Sequence, residues 1–275
     1  MTDRRLTPAN GRVAAAYLKG QVEAGAFVMA EPATIGQTVV DLCDAPQGRR
    51  DRQLLLGTQV NVYERRDGWA FVQSTRDGYV GYLPESALTA PTVPTHRVGT
   101  IATHAYSAED FKSRDLLRLS FGAEVTVIDE RHKFFETPQG FIPKKHLRPL
   151  SQPFTDPATI AQLHFGVPYL WGGNSSLGID CSGLVQAAHL TCGMPCPADS
   201  DMQRDGLGEL LPDDAPLQRG DLVFWKGHVA MMVDADTMIH ANAHHMAVVY
   251  EGLEQAKLRI QAQGDGAVLA CRRVA

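Results

Sequence analysis

Three side chains of this 275-residue sequence have the types that thiol catalysis needs: Cys181, His228 and His240. A thiolate attacks carbonyl carbon, and a free thiol with a pKa of ~8.5 must be helped to lose its proton. Cys181 stands in Gly178-Ile179-Asp180-Cys181-Ser182-Gly183-Leu184-Val185, with glycines and polar residues before it and a run able to form a helix after it. That order predicts Cys181 at or beside a helix N-terminus, where exposed backbone N–H groups and the positive end of the helix dipole favour an anion. His228 lies in Gly220-Asp221-Leu222-Val223-Phe224-Trp225-Lys226-Gly227-His228-Val229-Ala230-Met231-Met232-Val233, which reads as two β segments broken at Lys226-Gly227. His240 follows twelve residues later, on a strand beyond the turn Asp234-Ala235-Asp236. A hairpin there puts both histidines on neighbouring strands, with the register left open. In this reading His228 takes the thiol proton and His240 holds the His228 ring through its second nitrogen.

The elements that position these residues must come from a chain longer than one ordinary domain. Hydrophobic residues at 44% supply enough material for real cores. The net charge of −5 and the isolated pairs Arg49-Arg50, Arg65-Arg66 and Lys144-Lys145 give no basic patch for nucleic acid or an anionic membrane surface. The apolar run at 13–18 is stopped by Lys19, too short for a secretory signal, and no stretch approaches the ~20 residues of a membrane span. Five cysteines, an odd number scattered over the chain, do not read as a disulfide framework. The expectation is a soluble, reduced, cytoplasmic protein. Cys192 and Cys196 approach metal-ligand spacing, but no second Cys/His pair stands at a structural-zinc distance, so no metal and no cofactor are expected.

The first half contains a repeat of roughly sixty residues. Leu56-Gly57-Thr58-Gln59-Val60-Asn61-Val62 matches Phe121-Gly122-Ala123-Glu124-Val125-Thr126-Val127. Gly81-Tyr82-Leu83-Pro84 matches Gly140-Phe141-Ile142-Pro143, each leading into a short helical tail. Alternating short strands divided by turn residues predict small β-barrels. The expected divisions are an N-terminal helical leader at 1–32, barrels at 33–91 and 92–150, and a third domain at 151–275.

The tandem repeat resembles bacterial SH3 (SH3b) domains. Asp-Cys-Ser-Gly-Leu, Gly-Asp-Leu-Val-Phe-Trp with His-Val-Ala, and Ile-His-Ala, in that order, resemble the NlpC/P60 cysteine peptidases. The resemblance implies an α+β chain: a papain-like catalytic domain behind two SH3b barrels. It implies Cys181 as nucleophile, His228 as base and His240 as the third polar residue, with Tyr169 of Pro168-Tyr169-Leu170-Trp171 near the oxyanion. The combination is similar to γ-D-glutamyl-L-diamino-acid endopeptidases acting on murein tripeptides or tetrapeptides with a free N-terminal L-Ala, in cell-wall peptide recycling. That likeness implies Tyr79, Asp180, Ser182 and Ser200 as the residues binding the free amine. A protonated amine is a compact cation with three donors; Asp180 supplies the opposite charge and the hydroxyls accept its hydrogen bonds. Two other readings are a cell-wall-fragment binding protein with an inactive peptidase fold, and metal-dependent hydrolysis through His228, His240 and His244.

Overall fold

In the computed structural model, which describes residues 3–274, the chain divides into two units, Met1–Leu150 and Ser151–Ala275. Within the first, the Gly57 copy of the repeat forms the strand Gln59–Arg66 and buries Val60 and Val62, as alternation requires. It joins a seven-stranded sheet with Trp69–Ser74 on one side and Glu31–Ile35 on the other. The second copy is split between a five-stranded and a three-stranded sheet, and its Gly-x-x-Val segment is strand only over Glu124–Val125. Both helical tails are 3₁₀ turns, Glu85–Ala87 and Lys144–His146.

The two copies share a core. Leu55 and Leu56 of the first pack with Val98, Leu119, Val125 and Ile142 of the second. Gly57, at φ +84°, lies so close to the second copy that a Cβ would come within 2.2 Å of the Glu124 carbonyl oxygen. The repeat glycine is thus needed for its conformation and for the approach.

The expected helical leader is not helical. Val13–Ala15 is a strand paired in parallel with Ala26–Val28, and only Ala16–Leu18 coils, as a single 3₁₀ turn. Six apolar residues are too few to nucleate a helix alone. Ala15 and Leu18 instead pack with Tyr63, Phe71 and Val80, and residues 31–35 already belong to the barrel sheet. Met1 and Thr2, the first residues of that predicted leader, and Ala275 lie outside the described residues.

Among the described residues the second unit has four helices: α1 (Pro157–Leu163), α2 (Cys181–Thr191), α3 (Ser200–Gly206) and α4 (Leu253–Gln263). Its sheet is antiparallel, from β1 (Glu209–Leu210), β2 (Leu222–Trp225), β3 (His228–Met232), β4 (Thr237–Asn242), β5 (Ala247–Gly252) and β6 (Ala270–Arg273), in the order β1-β6-β2-β3-β4-β5. Helix α2 begins because the Asp180 carboxylate accepts from the Gly183 N–H at 2.7 Å, and ends before Gly193 at φ +79°. It is buried along most of its length against α1 and β3. On one face of the sheet Val223, Trp225, Ala230, Met232 and Met238 pack with Leu253, Ala256 and Ile260 of α4.

Gly183 is confined: a Cβ there would lie 2.4 Å from the Asn174 side-chain oxygen and 2.6 Å from the Gly173 carbonyl oxygen. Gly183→Ala should therefore lower stability by about 1–3 kcal/mol, read from the urea midpoint, with the start of α2 displaced. An unchanged midpoint would show that the turn before α2 yields freely.

Candidate active site

The strand period sets the site. His228, Ala230 and Met232 alternate onto the face of β3 that α4 covers, as do Met238 and His240 on β4. A two-residue turn at Lys226-Gly227, with Gly227 at φ +70°, opposes His228 to Trp225, and the rings lie 5.7 Å apart. The β3–β4 register opposes Met231 to Ile239, which makes His228 and His240 diagonal neighbours. Their rings meet with Nε2 of His228 2.9 Å from Nδ1 of His240. His240 is fully buried, and the Nδ1 of His228 has no partner among the described residues.

Cys181 opens α2, 8% exposed, and lines a cavity of about 390 Å³ together with Tyr169, His228, Asn242, His244 and Arg259. Cys181 and His228 therefore open onto one space. The helix N-terminus does supply the expected N–H groups, those of Cys181 and Ser182 with that of Val229. Burial outweighs them and, with the Asp180 charge, pushes the thiol up to about 12. Burial likewise lowers His228 to about 3, reinforced by His240 and Arg259 and opposed by Glu251. At rest both groups are thus neutral, a thiol and an imidazole lining one cavity. Tyr169 also stays neutral, its hydroxyl raised by burial and then by Cys181 and Asp180.

The residues expected to bind an amine are arranged differently from one another. Asp180 acts as the α2 cap: one oxygen takes the Gly183 N–H and the Ser182 hydroxyl, at 3.1 Å, and the other takes the Gly172 N–H at 2.8 Å. Ser182 is buried beside it. Ser200 opens α3, and one turn on, the buried Gln203 donates to the Ser182 carbonyl at 3.0 Å, tying α3 to the start of α2. Tyr79 belongs to the first unit, where it is 2% exposed with the Arg52 guanidinium 5.2 Å from its ring centroid.

The sequence reading missed Gln203, Asn242, Glu251 and Arg259. Glu251 stands on β5, whose register opposes Val249 to His240, so Glu251 is diagonal to His240 on the same face. Its carboxylate lies 3.0 Å from the His240 Nε2 and is gripped by Arg259 at 2.8 and 2.7 Å. Alternation along β5 was the available signal, but it required the hairpin register. His240, His245 and Glu251 also bring one potential metal-ligand atom each within 4.8 Å of one another, whereas His228 and His244 are not in that group. A divalent ion there would compete with the Arg259 guanidinium for the Glu251 oxygens.

Residues 42–88 match the bacterial dipeptidyl-peptidase SH3 domain and residues 166–260 match the NlpC/P60 family. The chain carries an NlpC/P60 domain. A γ-D-glutamyl-L-lysine dipeptidyl-peptidase of Bacillus cereus is 29% identical over 231 residues, 70% of this chain and 67% of that protein. One of the same name from Bacillus subtilis is 28% identical over 214 residues, 69% and 71% of the two chains. The solved structure of an NlpC/P60 family protein from Bacillus cereus aligns with a TM-score of 0.74 at 22% identity, over 88% of this chain and 99% of that one. At that identity it establishes likeness of fold: SH3-like at the N-terminus, NlpC/P60 behind it. The NlpC/P60 match spans Cys181, His228 and His240.

Burial should also make this protein acid-sensitive. His164, with Nδ1 2.9 Å from the Ile160 carbonyl oxygen, is lowered to about 4 by burial, and His189 and His240 are lowered for the same first cause. An unfolded histidine titrates near ~6.5, so below that pH the unfolded chain binds more protons and stability falls with pH. Each such group removes up to about 1.4 kcal/mol per pH unit between its unfolded and folded values. The urea midpoint should drop steadily from pH 7 to pH 4.5. A constant midpoint would mean that these rings are charged or exposed in the native state.

Proposed function

We propose that this protein is a cysteine peptidase that hydrolyses the γ-D-glutamyl–diamino acid bond of murein peptides bearing a free N-terminal L-Ala. The observation that carries the reading is a cysteine in the first turn of α2 opening onto the same cavity as a histidine, which a second histidine holds at 2.9 Å. In this mechanism Cys181 Sγ attacks the γ-carbonyl carbon while its proton passes to His228. The resulting oxyanion is met by backbone N–H at the start of α2, with Tyr169 near it. Collapse breaks the C–N bond, His228 protonates the departing amine, and a thioester remains. Water, deprotonated by His228, attacks the thioester; L-Ala-D-Glu leaves and the thiol is restored. The neutral resting pair suits this sequence, since the proton moves only as sulfur bonds to carbon. His240 keeps the His228 ring aimed.

For the free amine we assign Asp180, Ser182 and Ser200. The Asp180 charge would then serve twice, capping α2 and countering the ammonium. The names of the two Bacillus relatives specify the same kind of bond and a dipeptidyl activity, which supports the reading. Recycling of murein peptides in the cytoplasm is part of the same proposal.

L-Ala-γ-D-Glu-meso-diaminopimelate should be cleaved, and its N-acetyl form should lose about 10⁴-fold in kcat/KM, because acylation strands buried acceptors. Equal turnover of both would overturn the amine assignment. Cys181→Ala should lose activity altogether, followed by chromatography of released L-Ala-D-Glu.

A further inference from the structure

Behind His240 the hydrogen-bond chain continues, and the chemistry of its last member decides the proton positions of all the others. The Glu251 carboxylate, 3.0 Å from the His240 Nε2, is held below the usual carboxylate range by Arg259 and His240 despite its burial. An ionised carboxylate only accepts. A neutral His240 facing it must therefore carry its proton on Nε2, which leaves Nδ1 as a lone pair. That lone pair can only accept from His228, so the His228 Nε2, at 2.9 Å, must carry the proton. The proton-free nitrogen of His228 is then Nδ1, which has no other partner and is free to take the thiol proton.

A rival donor stands beside this chain. Asn242, 6% exposed, holds its Nδ2 2.9 Å from the same His240 Nε2, and its Oδ1 accepts the His245 N–H at 2.8 Å, so the amide orientation is fixed. Were Asn242 to donate to His240, each proton would shift by one nitrogen and the His228 Nδ1 would be protonated and useless as a base. A charge-assisted bond to carboxylate is about twice as strong as a neutral one, and a bare lone pair facing that carboxylate would be repelled. Glu251 wins while it is present and charged.

We infer that Glu251, clamped by Arg259, is the positioning residue that sets the tautomers of His240 and His228 in series and so keeps the His228 Nδ1 basic. The inference rests on the reading of His228 as the base of Cys181. Arg259, bonded at 2.8 and 2.7 Å to the two Glu251 oxygens and at 2.8 Å to Gln263 Oε1, fixes the carboxylate in place.

The test needs no substrate, so its failure is separable from failure of the murein assignment. Nitrogen-15 spectra of the histidine side chains at pH 7 should show His228 and His240 both protonated on Nε2 in the wild type. Glu251→Ala should hand His240 to Asn242 and invert both tautomers. Alkylation of Cys181 by iodoacetamide, followed by mass spectrometry of its peptide, should then slow by about 10²–10⁴-fold. Glu251→Ala with Asn242→Asp restores an acceptor beside His240 and should recover at least tenfold of that loss, which a packing role for Glu251 would not do. Nδ1 protonation of His228 in the wild type overturns the inference even if the variants fail to fold. So does an alkylation rate in Glu251→Ala within threefold of wild type, or a double variant no faster than the single.

Discussion

Two imidazoles can share a hydrogen bond only when one of the facing nitrogens holds a proton and the other does not. The 2.9 Å contact between His228 and His240 imposes that condition, and much of the second unit serves to meet it. Two charged rings at this distance would repel, so the pair is not doubly protonated near pH 7. Burial under α4 does this: it lowers both groups, and His240 is wholly removed from water. The diagonal pairing of β3 with β4 sets the distance. The short turn at Lys226-Gly227 sets Trp225 beside the His228 ring, tilted to it by 35°. The same dry surroundings keep the thiol protonated, so under the proposed mechanism Cys181 would pass its proton to a base as sulfur attacks, with no preformed thiolate.

The site was readable in the sequence wherever local order carried the information. A cysteine after Gly-Ile-Asp and before a helical run announces a capped N-terminus, and Asp180 is that cap. Two histidines flanking a turn announce a hairpin. The Glu251 carboxylate was not readable, because its diagonal relation to His240 depends on a four-residue loop in which Met246 takes a positive φ of 52°. One residue more or fewer in that loop would turn Glu251 to the opposite face. Gln203 escaped for a similar reason: its link to the Ser182 carbonyl joins two helices through a tertiary contact. In the first unit the barrel strands followed from alternation. The strand and 3₁₀ turn at residues 13–18 did not, since their apolar side chains answer to Tyr63, Phe71 and Val80 and not to helix propensity.

Asp180 shows how closely structure and chemistry are joined here. Its carboxylate starts α2, orders the turn at Gly172 and raises the thiol beside it. A cationic substrate group near Asp180 would offset that last effect and so favour release of the thiol proton on binding. Substrate recognition and activation of the nucleophile would then draw on one charge.

Thiol catalysis at Cys181 would leave its mark in where the acyl group goes. The direct measurement is an acid quench during turnover of L-Ala-γ-D-Glu-diaminopimelate, followed by proteolysis and mass spectrometry. The expected result is an L-Ala-D-Glu acyl group on the peptide containing Cys181, appearing within the first turnover and decaying as substrate is exhausted. An acyl group on any other residue, or turnover that persists with Cys181 alkylated, would contradict it.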